Sequence, residues 1–139
     1  MRIACISASQ IPSGTANSLQ AMKACQALAQ LGHTVRLLAP GAPQQAEWAL
    51  LAQHYGLRTP FEVTWLCARP HWKRYDFSLA AVQQAGDWGA DLLYVWPLQA
   101  ALAGLLADRS RPVLLELHGP AEGRIGALLL RWFMRLRGR

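Results

Sequence analysis

Five short apolar runs, each separated from the next by a stretch with helical spacing, constrain this chain more than any other feature. The runs are Arg2–Ser7, Thr34–Ala39, Phe61–Leu66, Asp91–Trp96 and Pro112–Leu117. They are mostly apolar without alternation, as in strands buried on both faces of a parallel sheet. Between them, Ser18–Leu31 repeats Ala21, Met22, Cys25, Leu28 and Ala29 at three and four residues, and Gly32 closes it. Gln44–Tyr55 reads as a helix stopped by Gly56, and Tyr75–Ala85, Leu98–Ala107 and Ile125–Arg137 read as three more. Strands alternating with helices predict an α/β fold, a Rossmann-like parallel sheet of about five strands with helices on both faces. A length of 139 residues, 53% hydrophobic and 16% charged, suits one domain with a real core and excludes a disordered chain.

Several function classes lose their footing in the composition. No apolar run approaches the ~18–20 residues of a membrane span, and Met1–Ile6 is too short for a signal peptide, so a cytoplasmic location is expected. Cys5, Cys25 and Cys67 are too widely spaced for a Cys-x-x-Cys unit and read as reduced, structural, small buried residues rather than zinc ligands. No pair of histidines has metal-ligand spacing, so no metal is expected. The charge is uneven. Residues 1–108 hold seven basic and six acidic side chains, whereas residues 109–139 hold seven arginines against Glu116 and Glu122. The excess belongs to the tail, so nucleic acid is not an expected partner of the fold as a whole.

In a parallel sheet, ligands bind beyond the carboxyl ends of the strands. Three loops meet that condition: Ser7–Asn17, Trp96–Gln99 and His118–Gly123. The first has neither a Gly-Lys pair nor a G-x-G-x-x-G run, and the second strand ends in Ala39-Pro40 with no acid for a ribose, so P-loop and dinucleotide readings lose their support. Gly14 near a helix start permits a close backbone approach to an anion, and it equally fits a plain turn capped by Thr15, Asn17 or Ser18. Glu116 and His118 stand two apart, on one face of a strand, where they form either a polar site or a loop tether. Trp96 at the same edge suits either a sugar face or the core. His33 and His54 read as surface or packing residues, and the run His71, Trp72, Lys73, Arg74 and Tyr75 reads as a solvated loop that could also meet a phosphate. In the last helix Ile125, Leu128, Leu129, Trp132 and Leu136 form a stripe, with Arg124, Arg131 and Arg135 to one side. A core-facing helix with its arginines in water is expected.

These residues also resemble a known family. Met1–Ser9 looks like the first strand of bacterial family 4 glycosyltransferases of the GT-B type, and Ile11–Ser18 is similar to a loop in one branch of them. Ala27–Val35 is close to their helix, Gly-His, second-strand segment, and Leu115-Glu116-Leu117-His118 resembles their fifth-strand Glu-x-His segment. The likeness runs from Met1 to about Gly123 and is weak from Pro43 to Trp72. It implies the amino-terminal, acceptor-binding half of a two-domain enzyme that transfers sugar from a nucleotide-sugar with retention, with no further cofactor. It also implies that Gly14, with Thr15 and Asn17, approaches the diphosphate or acceptor. On the resemblance, Glu116 would support His118, and His118 would stand beside the reacting sugar; Trp96 and Glu116 are expected among the substrate-binding residues, Trp96 from its place at the same edge. Many members have two glycines in the first loop, and this chain has Gly14 alone.

No donor domain with its paired glutamates is visible up to Arg139, so the domain, a single one over residues 1–139, is expected to be truncated and inactive alone, needing a carboxyl-terminal domain or partner chain. A sugar or lipid-linked acceptor is implied. Two other readings stay open: a non-enzymatic module for a small anionic ligand, and a peripheral protein held at the inner membrane face by Ile125–Arg137.

Overall fold

The computed structural model of the chain describes residues 1–69, 72, 75–119 and 123–137. Within them the order is β1 (Arg2–Ile6), α1 (Ala16–Gln30), β2 (Thr34–Pro40), α2 (Trp48–Tyr55), β3 (Glu62–Leu66), α3 (Tyr75–Asp87), β4 (Leu92–Val95), α4 (Leu98–Ala107), β5 (Val113–Leu115) and α5 (Gly123–Arg137). All strand pairs are parallel and the sheet runs β3-β2-β1-β4-β5. The order reverses between β1 and β4, which is where a fold of this class opens a crevice.

Strand alternation sorts the core into two layers. Ile3, Cys5, Val35 and Leu37 join Met22, Cys25, Leu51 and Tyr55 on the α1–α2 side. Ala4, Ile6, Leu38, Leu93 and Val95 join Phe77, Ala81, Ala101 and Phe133 on the α3–α5 side. Helices therefore cover both faces, as the apolar runs predict. Coverage thins toward the β5 edge on the α1–α2 side, where Leu114 is half exposed beside its register partner Tyr94.

Element boundaries moved where capping chemistry overrode periodicity. α1 begins at Ala16, two residues before the expected start, because Thr15 is the N-cap and its side chain accepts from the Ser18 backbone N–H. α2 begins only at Trp48, because Gln44 takes φ 52° and Glu47 is extended at the cap. Gly32 and Gly56, at φ 85° and 60°, close α1 and α2 in the left-handed region that glycine enters without steric cost. β5 ends at Leu115, so Glu116 and His118 lie just beyond it, although the Glu116 N–H still donates to the Val95 carbonyl at 3.0 Å.

Two expectations are corrected. Cys67 is exposed, unlike the buried Cys5 and Cys25. It follows β3, past the end of the strand that would have covered it. Burial, with the Cys5 thiol alongside, pushes the Cys25 thiol well above its ordinary range. In α5 the residue driven into the core is Phe133, with Leu129 and Leu136 beside it, while Ile125, Leu128 and Trp132 of the expected stripe are exposed. α5 packs chiefly on α4, and a narrow i, i+4, i+7 strip of it reaches the core. Of the cation–aromatic run, Trp72 and Tyr75 are exposed, and His71, Lys73 and Arg74 lie outside the described residues.

Candidate functional site

The carboxyl ends of β1, β4 and β5 enclose a cleft of about 240 Å³ lined by Ser7, Asn17, Trp96, Pro97, Glu116 and His118, together with Ala8, Ser9 and Leu117. It lies at the reversal of strand order. Asn17 reaches it from the first turn of α1, and Trp96 and Pro97 reach it because Pro97 caps α4 directly after β4.

Glu116 organises the cleft. Its Oε2 accepts from the Tyr94 hydroxyl and from Trp96 Nε1 at 3.1 Å. Its Oε1 accepts from Gln20 Nε2 at 2.5 Å and stands 3.0 Å from His118 Nε2. A carboxylate has about four acceptor sites, and these four partners occupy them. The Tyr94 hydroxyl, and then the His118 and Trp96 donors, hold the Glu116 carboxyl below its ordinary 4.5. Burial and the neighbouring carboxylate push Tyr94 in the opposite direction, well above the usual phenol range. Since a carboxylate oxygen only accepts, His118 Nε2 carries a proton in this pair, and Nδ1 is the ring nitrogen left for a ligand.

The loop after β1 is fixed from outside the cleft. The buried Trp65 Nε1 donates to the Ile11 carbonyl at 2.7 Å. The Ser13 N–H donates to the Tyr55 hydroxyl at 2.7 Å, that hydroxyl lies 3.0 Å from the Ser13 carbonyl, and His54 Nε2 lies 3.3 Å from the same carbonyl. The Ser18 hydroxyl, fully buried, donates toward the Ser13 and Thr15 carbonyls at 2.7 and 2.8 Å.

Of the residues expected at the site, Asn17, Trp96, Glu116 and His118 share the cleft. Thr15 serves as the helix cap, with its hydroxyl 3.1 Å from that of Ser13. Gly14 is exposed, away from the cleft lining, and a Cβ added there would meet nothing within 4 Å. Trp96 is half-buried, its ring 4.6 Å from that of Tyr94, so it takes part in both packing and lining. His54 is exposed and packs edge-on against Tyr55. Sequence reading missed Gln20 and Tyr94. Both carried a usable signal: Gln20 lies three residues after Asn17 on one helix face, and Tyr94 two before Trp96 on one strand face. Tyr55 and Trp65 as loop anchors carried none. Among the described residues no group of three His, Cys, Asp or Glu is placed to hold a metal ion.

The sequence profile described as Glycosyltransferase Family 4 matches residues 19–139. No curated protein matches the chain. Among solved structures, the chain is similar to Anabaena HepE, determined in complex with UDP-glucose. The TM-score is 0.55 and the identity 21%, over 100% of this chain and 35% of that one. It is also similar to the carboxyl-terminal domain of PF1911 hydrogenase from Pyrococcus furiosus, with TM-score 0.55 and 14% identity over 85% of this chain and 91% of that one. At such identities the likeness is one of fold, and this chain spans about a third of HepE. The profile match starts within α1 and covers the cleft residues Trp96, Pro97, Glu116, Leu117 and His118, and the chain belongs to glycosyltransferase family 4, as an amino-terminal domain of the GT-B type.

Proposed function

We propose that residues 1–139 form the acceptor-side half of a retaining glycosyltransferase that moves a sugar from a nucleotide-sugar to an acceptor. The observation that carries this reading is the saturated Glu116 carboxylate, which orients His118 at the cleft mouth. With its acceptor sites filled, Glu116 is a positioning residue rather than a base. His118, with Nε2 committed to Glu116, offers Nδ1 to a sugar hydroxyl. Asn17 supplies an amide at the start of α1, and the Trp96 ring supplies an apolar surface of the kind sugar rings stack on. Gly14 and Thr15, one turn earlier, would meet the diphosphate or acceptor only if ligand binding extends past the cleft lining.

Transfer needs preorganised groups on both sides of the reacting carbon. The cleft supplies one side. In this reading a carboxyl-terminal donor domain, or a partner chain, supplies the other, and residues 1–139 alone do not turn over a nucleotide-sugar. No metal or further cofactor is invoked.

Two measurements test the proposal. The purified 139-residue chain is incubated with UDP-glucose and a panel of sugar acceptors, and no transfer is expected; turnover above the protein-free background refutes the half-enzyme reading. The chain is then supplied with a family 4 donor domain that restores transfer, and His118→Ala is compared with the unaltered chain. Loss of transfer with an unchanged far-ultraviolet dichroism spectrum is expected, and unchanged transfer removes His118 from its role.

A further inference from the structure

The Glu116 side chain ends in a torsion that is weakly restrained on its own. Rotation of a glutamate carboxyl about its last bond is broad and roughly two-fold, so a single hydrogen bond leaves the carboxylate plane free to swing. That plane matters here, because each oxygen serves a group that lines the cleft. Oε1 stands 3.0 Å from His118 Nε2, and Oε2 accepts from Trp96 Nε1 at 3.1 Å. If the plane turns, the imidazole and the indole turn with it or lose their bonds.

Each oxygen also has a second partner that stands outside the cleft lining. Gln20 Nε2 donates to Oε1 from α1, and the Tyr94 hydroxyl donates to Oε2 from β4. Tyr94 packs against the α1–α2 core layer, and its ring backs that of Trp96 at 4.6 Å. Burial and the carboxylate push its phenol up, so it keeps the proton it donates wherever Glu116 is ionised. Gln20 lies one turn after Asn17, so the helix that presents Asn17 to the cleft also carries this donor. A carboxylate only accepts, so the glutamine meets it through its amide nitrogen.

We infer that Gln20 and Tyr94 are positioning residues of the cleft: one at each oxygen, they clamp the plane of the Glu116 carboxylate and through it orient the His118 imidazole and the Trp96 indole. Their bearing on rate rests on the sugar-transfer reading, whereas the clamp is a property of the folded chain. A clamp differs from two separate contacts in two ways. Loss of either donor frees the same torsion, so loss of both does little more than loss of one. Without the carboxylate, neither donor has anything to act through.

The test uses Gln20→Met and Tyr94→Phe, which remove the donors and keep most of the side-chain bulk. Gln20 is exposed and Tyr94→Phe keeps the ring, and far-ultraviolet dichroism checks that each variant is folded. Heteronuclear NMR of the 139-residue chain follows the His118 ring and the Trp96 indole N–H. Each single variant should shift both signals, and Q20M/Y94F should shift them little further. In a Glu116→Ala background the same substitutions should leave them nearly still. Unmoved signals overturn the proposal, as do shifts that simply add or that persist undiminished without Glu116. Each chain is then supplied with the family 4 donor domain. Either single variant should lower kcat roughly tenfold to a hundredfold, the effect of a group misplaced by about an ångström, with a smaller change in KM. Unchanged kcat in both variants overturns the positioning role. If the unaltered pair transfers nothing, it is the sugar-transfer reading that fails, and the NMR signals still decide the clamp.

Discussion

The loop after β1 and the segment after β5 empty into one cleft, but they are held in different ways. Trp65, Tyr55 and His54 hold the first from behind, through the Ile11 and Ser13 backbone, and none of the three lines the cleft. The second is held from within: its tether is the Glu116 carboxylate, itself a lining residue that reaches Gln20, Tyr94 and Trp96. The lesson is that damage to the first region should appear as lost stability, and damage to the second as a changed site. The family resemblance drew attention to Gly14 in the first region, yet Gly14 is not in the cleft lining, whose polar groups the two regions share: Ser7, Ser9 and Asn17 from the first, Glu116 and His118 from the second.

The sharpest way to break this contrast is at Trp65. Trp65→Ala removes a buried ring and leaves the Ile11 carbonyl without its donor, so a loss of about 3–5 kcal/mol is expected in urea unfolding. Trp65→Phe keeps most of the packing and should cost about 1–3 kcal/mol, the desolvation cost of that carbonyl. If both variants cost the same, the ring is not acting through its N–H. Next comes Glu116→Ala, which strands the Tyr94 hydroxyl and the Trp96 indole. A cost of about 1.5–3 kcal/mol is expected, together with altered His118 and Trp96 side-chain NMR signals but unchanged signals from Tyr55.

Acidity probes the same tether more gently. The folded pKa of Glu116 lies below its ordinary 4.5, so its contribution is fully present above that value and is lost as pH falls through the lower folded pKa. Denaturation midpoints measured from pH 6 down to about pH 3 should fall less steeply for Glu116→Gln than for the unaltered chain. Parallel curves would show that the tether is not ionised in the folded protein. The smallest effect is expected at Gly14→Ala, within about 0.5 kcal/mol, because a Cβ there meets nothing within 4 Å and the residue does not require a left-handed backbone. A large loss at this position would mean that the loop is packed in a way the contrast denies.

Local chemistry alone determined much of this protein. The apolar runs announced five parallel strands, the glycines after α1 and α2 marked their ends, and the i, i+2 spacing of Glu116 and His118 anticipated their contact even though β5 stops one residue short of them. These are relations between residues a few positions apart, and the strand and helix periods set them directly. Other features depended on residues far apart in the chain. Gln20 meets Glu116 across 96 positions and Trp65 meets Ile11 across 54, distances over which no periodicity speaks. The orientation of α5 was decided in the same way. Its sequence offers Ile125, Leu128 and Trp132 as readily as Leu129, Phe133 and Leu136, and the second strip is buried because that is the one α4 receives. An amphipathic pattern says that a helix has an apolar side. Which apolar side chains leave water is set by the shape of the surface it lands on.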